Sequence, residues 1–294
     1  MEIPTNKTIS GLTLEELFPN TLTDIQCVSI DKKREIWVAA EMCAQYLEST
    51  VDSILVRDDD NKPVGIVGGY DLLDHLRKNP THDLQYQTKT KDIMFKDVPQ
   101  VEKKTKFKDL IEKWQNTRRA FAIISNGDGD YSPISARKML EIGIKCKTDI
   151  SVSSMPKKQI VTFQPDDTLE KIIDLMFKHK TRKLVLKNSN QFISDRLILT
   201  EISRILKFQK DVDYFLDIPV SQLKLEYVKT LTDDLQFNRL CMMMDKMEHP
   251  FFIYKDITIS PWDVCVTLMS EDAKGPLSME YLKRTCPHCG KYID

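Results

Sequence analysis

Glycine is scarce in this sequence, nine in 294 residues, about 3% against an ordinary ~7%. A glycine-rich phosphate loop therefore finds little support, and a short-looped, helix-containing fold is expected. No uncharged apolar run approaches the roughly 18 residues of a membrane span, so no membrane association is expected. Residues 1–10 are polar and carry a proline, which leaves no apolar core of a signal peptide. An excess of cations is missing too. Lysine and arginine number 43 against 44 acidic residues, a net charge of −1. That balance supplies no basic field of the kind that drives nucleic-acid binding. The motifs Gly-x-x-x-x-Gly-Lys-Ser/Thr, Gly-x-Gly-x-x-Gly, His-Glu-x-x-His and Gly-x-Ser-x-Gly do not occur. No nucleophile, base and orienter form a recognisable group, so an enzyme is not expected. The seven cysteines are mostly scattered, which suits reduced thiols and a cytoplasmic location.

What is present is material for a packed fold, 41% hydrophobic and 30% charged residues, and a repeat. Short apolar runs suited to buried strands occur at Ser53–Val56, Phe121–Ile124, Lys183–Leu186 and Pro250–Ile253. A segment with helical apolar spacing precedes each. The four sets are Val38, Ala39, Met42, Tyr46; Phe107, Leu110, Ile111, Trp114; Leu169, Ile172, Ile173, Met176; and Leu231, Leu235, Leu240, Met244. Polar turns such as Asp58–Asn61 and Asn188–Asn190 follow the strands and read as hairpins. The fold class is α+β, a β-α-β-β-α unit repeated four times over residues 10–80, 88–148, 149–210 and 213–272. One such unit is a poor stand-alone core. Sequence order suggests two modules, 10–148 and 149–272, followed by a tail over 273–294.

The run Val64-Gly65-Ile66-Val67-Gly68-Gly69-Tyr70-Asp71 resembles the strand-to-helix signature of the CBS (cystathionine-β-synthase-type) domain family, Gly-hydrophobic-hydrophobic-Thr/Ser-x-x-Asp. Met94 and Met155 stand where that family often opens a repeat with an apolar residue. The resemblance extends over about residues 12–271 and implies two-repeat modules that bind adenine nucleotides or adenosyl compounds in clefts between repeats, usually to regulate something else. Carried over position by position, Gly68 and Asp71 fill the hydroxyl and acid positions in the first repeat. The second repeat has Ser135 with Lys138 in the acid position, the third Ser194 with Leu197, and the fourth Ser260 with Asp263. A carboxylate at a helix start can accept both ribose hydroxyls, and a hydroxyl with free N–H groups can hold phosphate. Arg118 and Arg182, just ahead of central strands, are candidate phosphate contacts. Ser-x-x-Asp at a helix start is equally an ordinary N-cap with a first-turn acid. Ser135 and Ser194, without the acid, read as caps.

The tail segment Cys286-Pro287-His288-Cys289-Gly290 resembles half of a zinc knuckle. Zinc needs four ligands, so two chains contribute one half each, or Cys265, His288 or His249 completes the set, or no metal binds. The leading expectation is a non-catalytic regulatory, signal-transducing protein. Its ligand would be AMP, ADP, ATP or S-adenosylmethionine; it requires no cofactor, and it acts on a protein target that the sequence does not name, with homodimer formation compatible with the family. The alternatives are a ligand-free scaffold of the same fold and a zinc-dependent transcription-related factor using the tail.

Overall fold

A computed structural model describes residues 7–45, 53–80, 87–127, 129–208 and 215–276. Its four repeats are built alike. The first holds strand β1 (Ser29–Asp31), helix α2 (Ile36–Gln45), the hairpin β2 (Ser53–Arg57) and β3 (Pro63–Gly68), and helix α3 (Gly69–Lys78); a short helix α1 (Leu14–Leu17) lies ahead of it. The second opens with α4 (Thr90–Ile93) and continues through β4 (Gln100–Val101), α5 (Phe107–Thr117), β5 (Phe121–Gly127), β6 (Asp130–Ser135), α6 (Leu140–Lys145) and β7 (Cys146–Lys147). The third has β8 (Lys158–Gln159), β9 (Thr162–Phe163), α7 (Leu169–His179), β10 (Lys183–Leu186), β11 (Gln191–Ser194) and α8 (Asp195–Phe208). The fourth has β12 (Glu226–Tyr227), β13 (Lys229–Leu231), α9 (Phe237–Asp245), β14 (Phe252–Tyr254), β15 (Ile257–Ile259) and α10 (Pro261–Thr267), and β16 (Lys274–Pro276) follows. In each repeat the strand just ahead of the first long helix (β1, β4, β9 and β13) runs parallel to the first strand of the hairpin (β2, β5, β10 and β14), and the two hairpin strands are antiparallel.

The helical spacing is read correctly in the second and third repeats, where Phe107, Leu110, Ile111, Trp114 and Leu169, Ile172, Ile173, Met176 are all buried. It is misplaced in the other two. In α2 the buried face is Ile36, Ala39, Ala40 and Cys43. Leu231 lies in β13, and α9 begins only at Phe237. Both segments carry apolar residues on more than one face, so spacing alone does not choose among them. The hairpin turns each hold a left-handed residue: Asn61, Gly127 and Gly129, Asn188, and Lys255.

The segment ahead of each repeat docks not on its own repeat but on its sequence neighbour, by the same pair of backbone bonds every time. Leu14 and Phe107 donate to Thr105 and Leu12 (2.9 and 2.9 Å), and Thr90 and Ile36 to Arg34 and Thr88 (2.7 and 3.1 Å). Val152 and Phe237 donate to Leu235 and Ile150 (2.9 and 3.0 Å), and Leu169 and Val220 to Ile218 and Asp167 (3.0 and 2.9 Å). Openings are thus exchanged within repeats 1–2 and within repeats 3–4, the sequence-order partners.

Compactness follows a different division. One unit comprises Met1–Cys27, Pro99–Gln159 and Lys229–Asp294, joining repeats 2 and 4; the other comprises Val28–Val98 and Ile160–Val228, joining repeats 1 and 3. In the first unit a single core gathers Phe18, Phe107, Trp114, Met139, Phe237, Leu240, Phe252 and Val264. Helices α6 and α9 pack together there, and a Cβ on Gly143 would run into the Cys241 sulfur. In the second unit α2 packs on α8, and α3 on α8. These units cut across the expected modules 10–148 and 149–272, because helix faces rather than chain order select the packing partner. Ala273 is buried and accepts from Ile9 (3.0 Å), and β16 pairs with β7.

Candidate functional site

Each hairpin delivers its last strand into a helix or helical turn, and the residue three positions after Gly68, Ser135, Ser194 and Ser260 is the equivalent one in the four repeats. In the fourth repeat that residue is Asp263. Its Oδ2 accepts from the Ser260 backbone N–H (2.8 Å) and hydroxyl (2.7 Å). The carboxylate is buried, and desolvation pushes its pKa up against the pull of those hydrogen bonds. In the first repeat Asp71, also buried, accepts the Gly68 N–H at 2.9 Å. Both acids accept the backbone N–H of the residue that caps the helix, the carboxylate half of a capping box. The third repeat has Leu197 in that place, and buried Ser194 accepts its N–H at 3.2 Å, a plain cap.

The second repeat departs most. Ser135 is buried at the end of β6, and the residues after it form a run of tight i→i−3 bonds, Met139 to Ala136, Leu140 to Arg137 and Glu141 to Lys138. Lys138 takes the acid's place with a side chain only 4% exposed. Its ammonium meets Asp24 at 3.1 Å and Glu141 at 3.3 Å, and lies 5.4 Å from the centre of the Phe18 ring. The Thr21 hydroxyl donates to the other oxygen of Glu141 at 2.8 Å.

The candidate residues do not group as sequence order suggests. Gly68, Asp71, Arg182 and Ser194 belong to the unit of repeats 1 and 3, whereas Arg118, Ser135, Ser260 and Asp263 belong to the unit of repeats 2 and 4. Within the former, the start of α3 lies so close to α8 that a Cβ on Gly69 would collide with the Asp195 carboxylate. Asp195, buried, takes the Nε of Arg182 at 2.6 Å. Arg182 is therefore held by a carboxylate of its own repeat. Arg118 is exposed and ends α5 in the left-handed region, φ 56°. Cys43 lies beneath this cluster: burial pushes its thiol up to about 12, with opposing influences from Arg196, Asp195, Arg182 and Asp71. Asp195 and Arg196 were not singled out by sequence reading; the one visible signal was an acid and a base directly following Ser194.

Cys286 and Cys289 lie outside the described residues. Cys265 is fully buried with its thiol toward the Ala136 carbonyl (3.9 Å). Among the described residues no group of His, Cys, Asp and Glu is placed to hold a metal ion, and no helix is long and apolar enough to cross a membrane. A groove of about 490 Å³ in the unit of repeats 1 and 3 is lined by Arg77, Lys171, Asp174, Phe177 and neighbours, and includes none of the predicted site residues.

Residues 152–197, essentially the third repeat, match the family model described as the CBS domain. No curated protein matches the chain. Among solved structures, a Methanocaldococcus jannaschii protein proposed as an archaeal homologue of g-AMPK is similar with a TM-score of 0.66 at 14% identity, covering 83% of this chain and 96% of that one. An uncharacterized conserved protein from Pyrococcus horikoshii is similar with a TM-score of 0.51 at 12% identity, covering 87% of this chain and 100% of that one. The chain thus has the α+β fold of these proteins, and residues 152–197 resemble a CBS domain.

Proposed function

We propose that this chain is a non-catalytic regulatory protein whose repeats bind an adenine nucleotide or adenosyl compound, with Asp71 and Asp263 as the ribose-binding acids. The observation that carries this reading is the pair of buried carboxylates at equivalent helix starts, each using one oxygen on its own cap. A carboxylate has about four lone-pair sites and can accept from more than one donor at a time. The similarity in fold to a protein proposed as an archaeal g-AMPK homologue supports the regulatory part of this reading. Regulation would be a population shift, with ligand favouring the arrangement of repeats that binds it better. Arg182 contributes through Asp195, and Ser194 acts as a cap. Zinc on Cys286 and Cys289 is a separate proposal. It is checked by metal content in wild type and Cys286→Ser.

The test is thermal unfolding with AMP, ADP, ATP or S-adenosylmethionine at millimolar concentration. A ligand that binds only the folded chain stabilises it by about 2.7 kcal/mol at a hundredfold excess over its Kd. A rise in midpoint with one of the four, lost in Asp71→Ala or Asp263→Ala, is the expected result. No rise with any of them sinks the nucleotide reading and favours the scaffold alternative.

A further inference from the structure

Lys138 is a buried cation whose described ion-pair partners are two carboxylates, one of them 114 residues away in the chain. Around it lie Phe18, its ring under the ammonium, Thr21, bonded to Glu141, and Asp24, bonded to Lys138 itself. Phe18 and Leu22 are buried in the core shared with Trp114 and Met139. The 18–24 segment is thus pinned by two apolar side chains and two polar side chains, and both polar contacts converge on Lys138 and Glu141. Asp24 is 41% exposed and Glu141 30% exposed, against 4% for Lys138. The carboxylates reach water if the contact opens; the ammonium does not unless the segment lifts away.

We propose that residues 18–24 form a strap latched by Lys138, so that repeat 2 is occupied by a carboxylate of its own chain at the position where repeats 1 and 4 present an acid. The polarity at this position is inverted, and the strap supplies a carboxylate that answers it. The strap does not depend on the nucleotide reading, since it involves neither Asp71 nor Asp263.

The test is hydrogen exchange of peptides covering residues 18–27 in the full chain, for wild type, Asp24→Asn, Lys138→Met and the double variant. Opening of a local segment is read directly as faster exchange, and loss of the latch is expected to speed it about tenfold or more in either single variant. The double variant should exchange no faster than the faster single one, because both changes remove the same contact. Asp24→Asn, at a partly exposed position, keeps the test decisive if Lys138→Met fails to fold. Exchange within twofold of wild type in folded Asp24→Asn, or strictly additive effects in the double variant, would overturn the proposal.

Discussion

Asp263 and Lys138 occupy the same place in two repeats of one compact unit, both buried and of opposite charge. They are satisfied in opposite ways. Asp263 finds its partners within three residues, in the Ser260 N–H and hydroxyl. Lys138 reaches across the chain to Asp24 as well as to Glu141. The reason is the chemistry of a helix start, which presents unpaired N–H donors and the positive end of the helix dipole. A carboxylate there is answered locally. An ammonium offers only donors, so its partners must be carried in by other segments. A local cap thus became, in repeat 2, a tertiary contact.

Removing both partners of Lys138 tests this contrast most severely. Asp24→Asn combined with Glu141→Gln leaves a buried ammonium uncompensated, and urea unfolding should show a loss of about 3 kcal/mol, the low end for a broken buried pair because both acids are partly solvated. A loss below about 1 kcal/mol would mean that Lys138 is hydrated and the contrast false. Next in size is Gly69→Ala, whose Cβ is driven into the ion-paired Asp195 carboxylate. Calorimetric unfolding should show a cost of about 2 kcal/mol. Gly143→Ala, which meets the Cys241 sulfur, supplies the counterpart in the other unit.

Asp263→Ala should cost about 1 kcal/mol, as for other lost N-terminal caps, and its pH dependence sharpens the comparison. Burial raises the folded pKa above the ordinary 3.8, so the folded chain holds that proton more tightly than the unfolded chain. The stability it contributes is greatest at low pH and declines as pH climbs from 3.8 through the raised value. Asp263→Asn should flatten that decline in urea midpoints measured from pH 3 upward. Asp234 provides the opposite case. Burial raises it, but hydrogen bonds from Ser153 and Ser151 outweigh burial and leave the pKa lowered, so its contribution is present above 3.8 and lost as pH falls. The smallest effect is expected at Arg118, whose left-handed φ of 56° suits glycine. Arg118→Gly should gain about 0.5 kcal/mol, the relief of that conformation less the entropy glycine adds to the unfolded chain.

The repeat was legible because it is written in short-range patterns. Phe107 to Trp114 and Leu169 to Met176 show one helical face each, and Ser194 and Ser260 mark where strands give way to helices. The α2 face was not legible, because Val38 and Met42 compete with Ala40 and Cys43 in a segment apolar on several sides. Asp71 and Asp263 were visible as Ser/Gly-x-x-Asp positions with two meanings, ligand and cap, and the structure displays the cap in both. Asp195 went unnoticed, since its importance comes from Gly69 packing against it and from Arg182, thirteen residues earlier, turning back to it.

Sequence alone determined the β-α-β-β-α unit, its fourfold repetition and the chemical types at each helix start, because apolar period, turn residues and capping all act over a few residues. Tertiary structure decided which repeats share a core, which carboxylate answers Lys138 and that Cys265 is buried. These depend on side-chain shape and charge meeting across a hundred residues or more, and no local pattern encodes the partner.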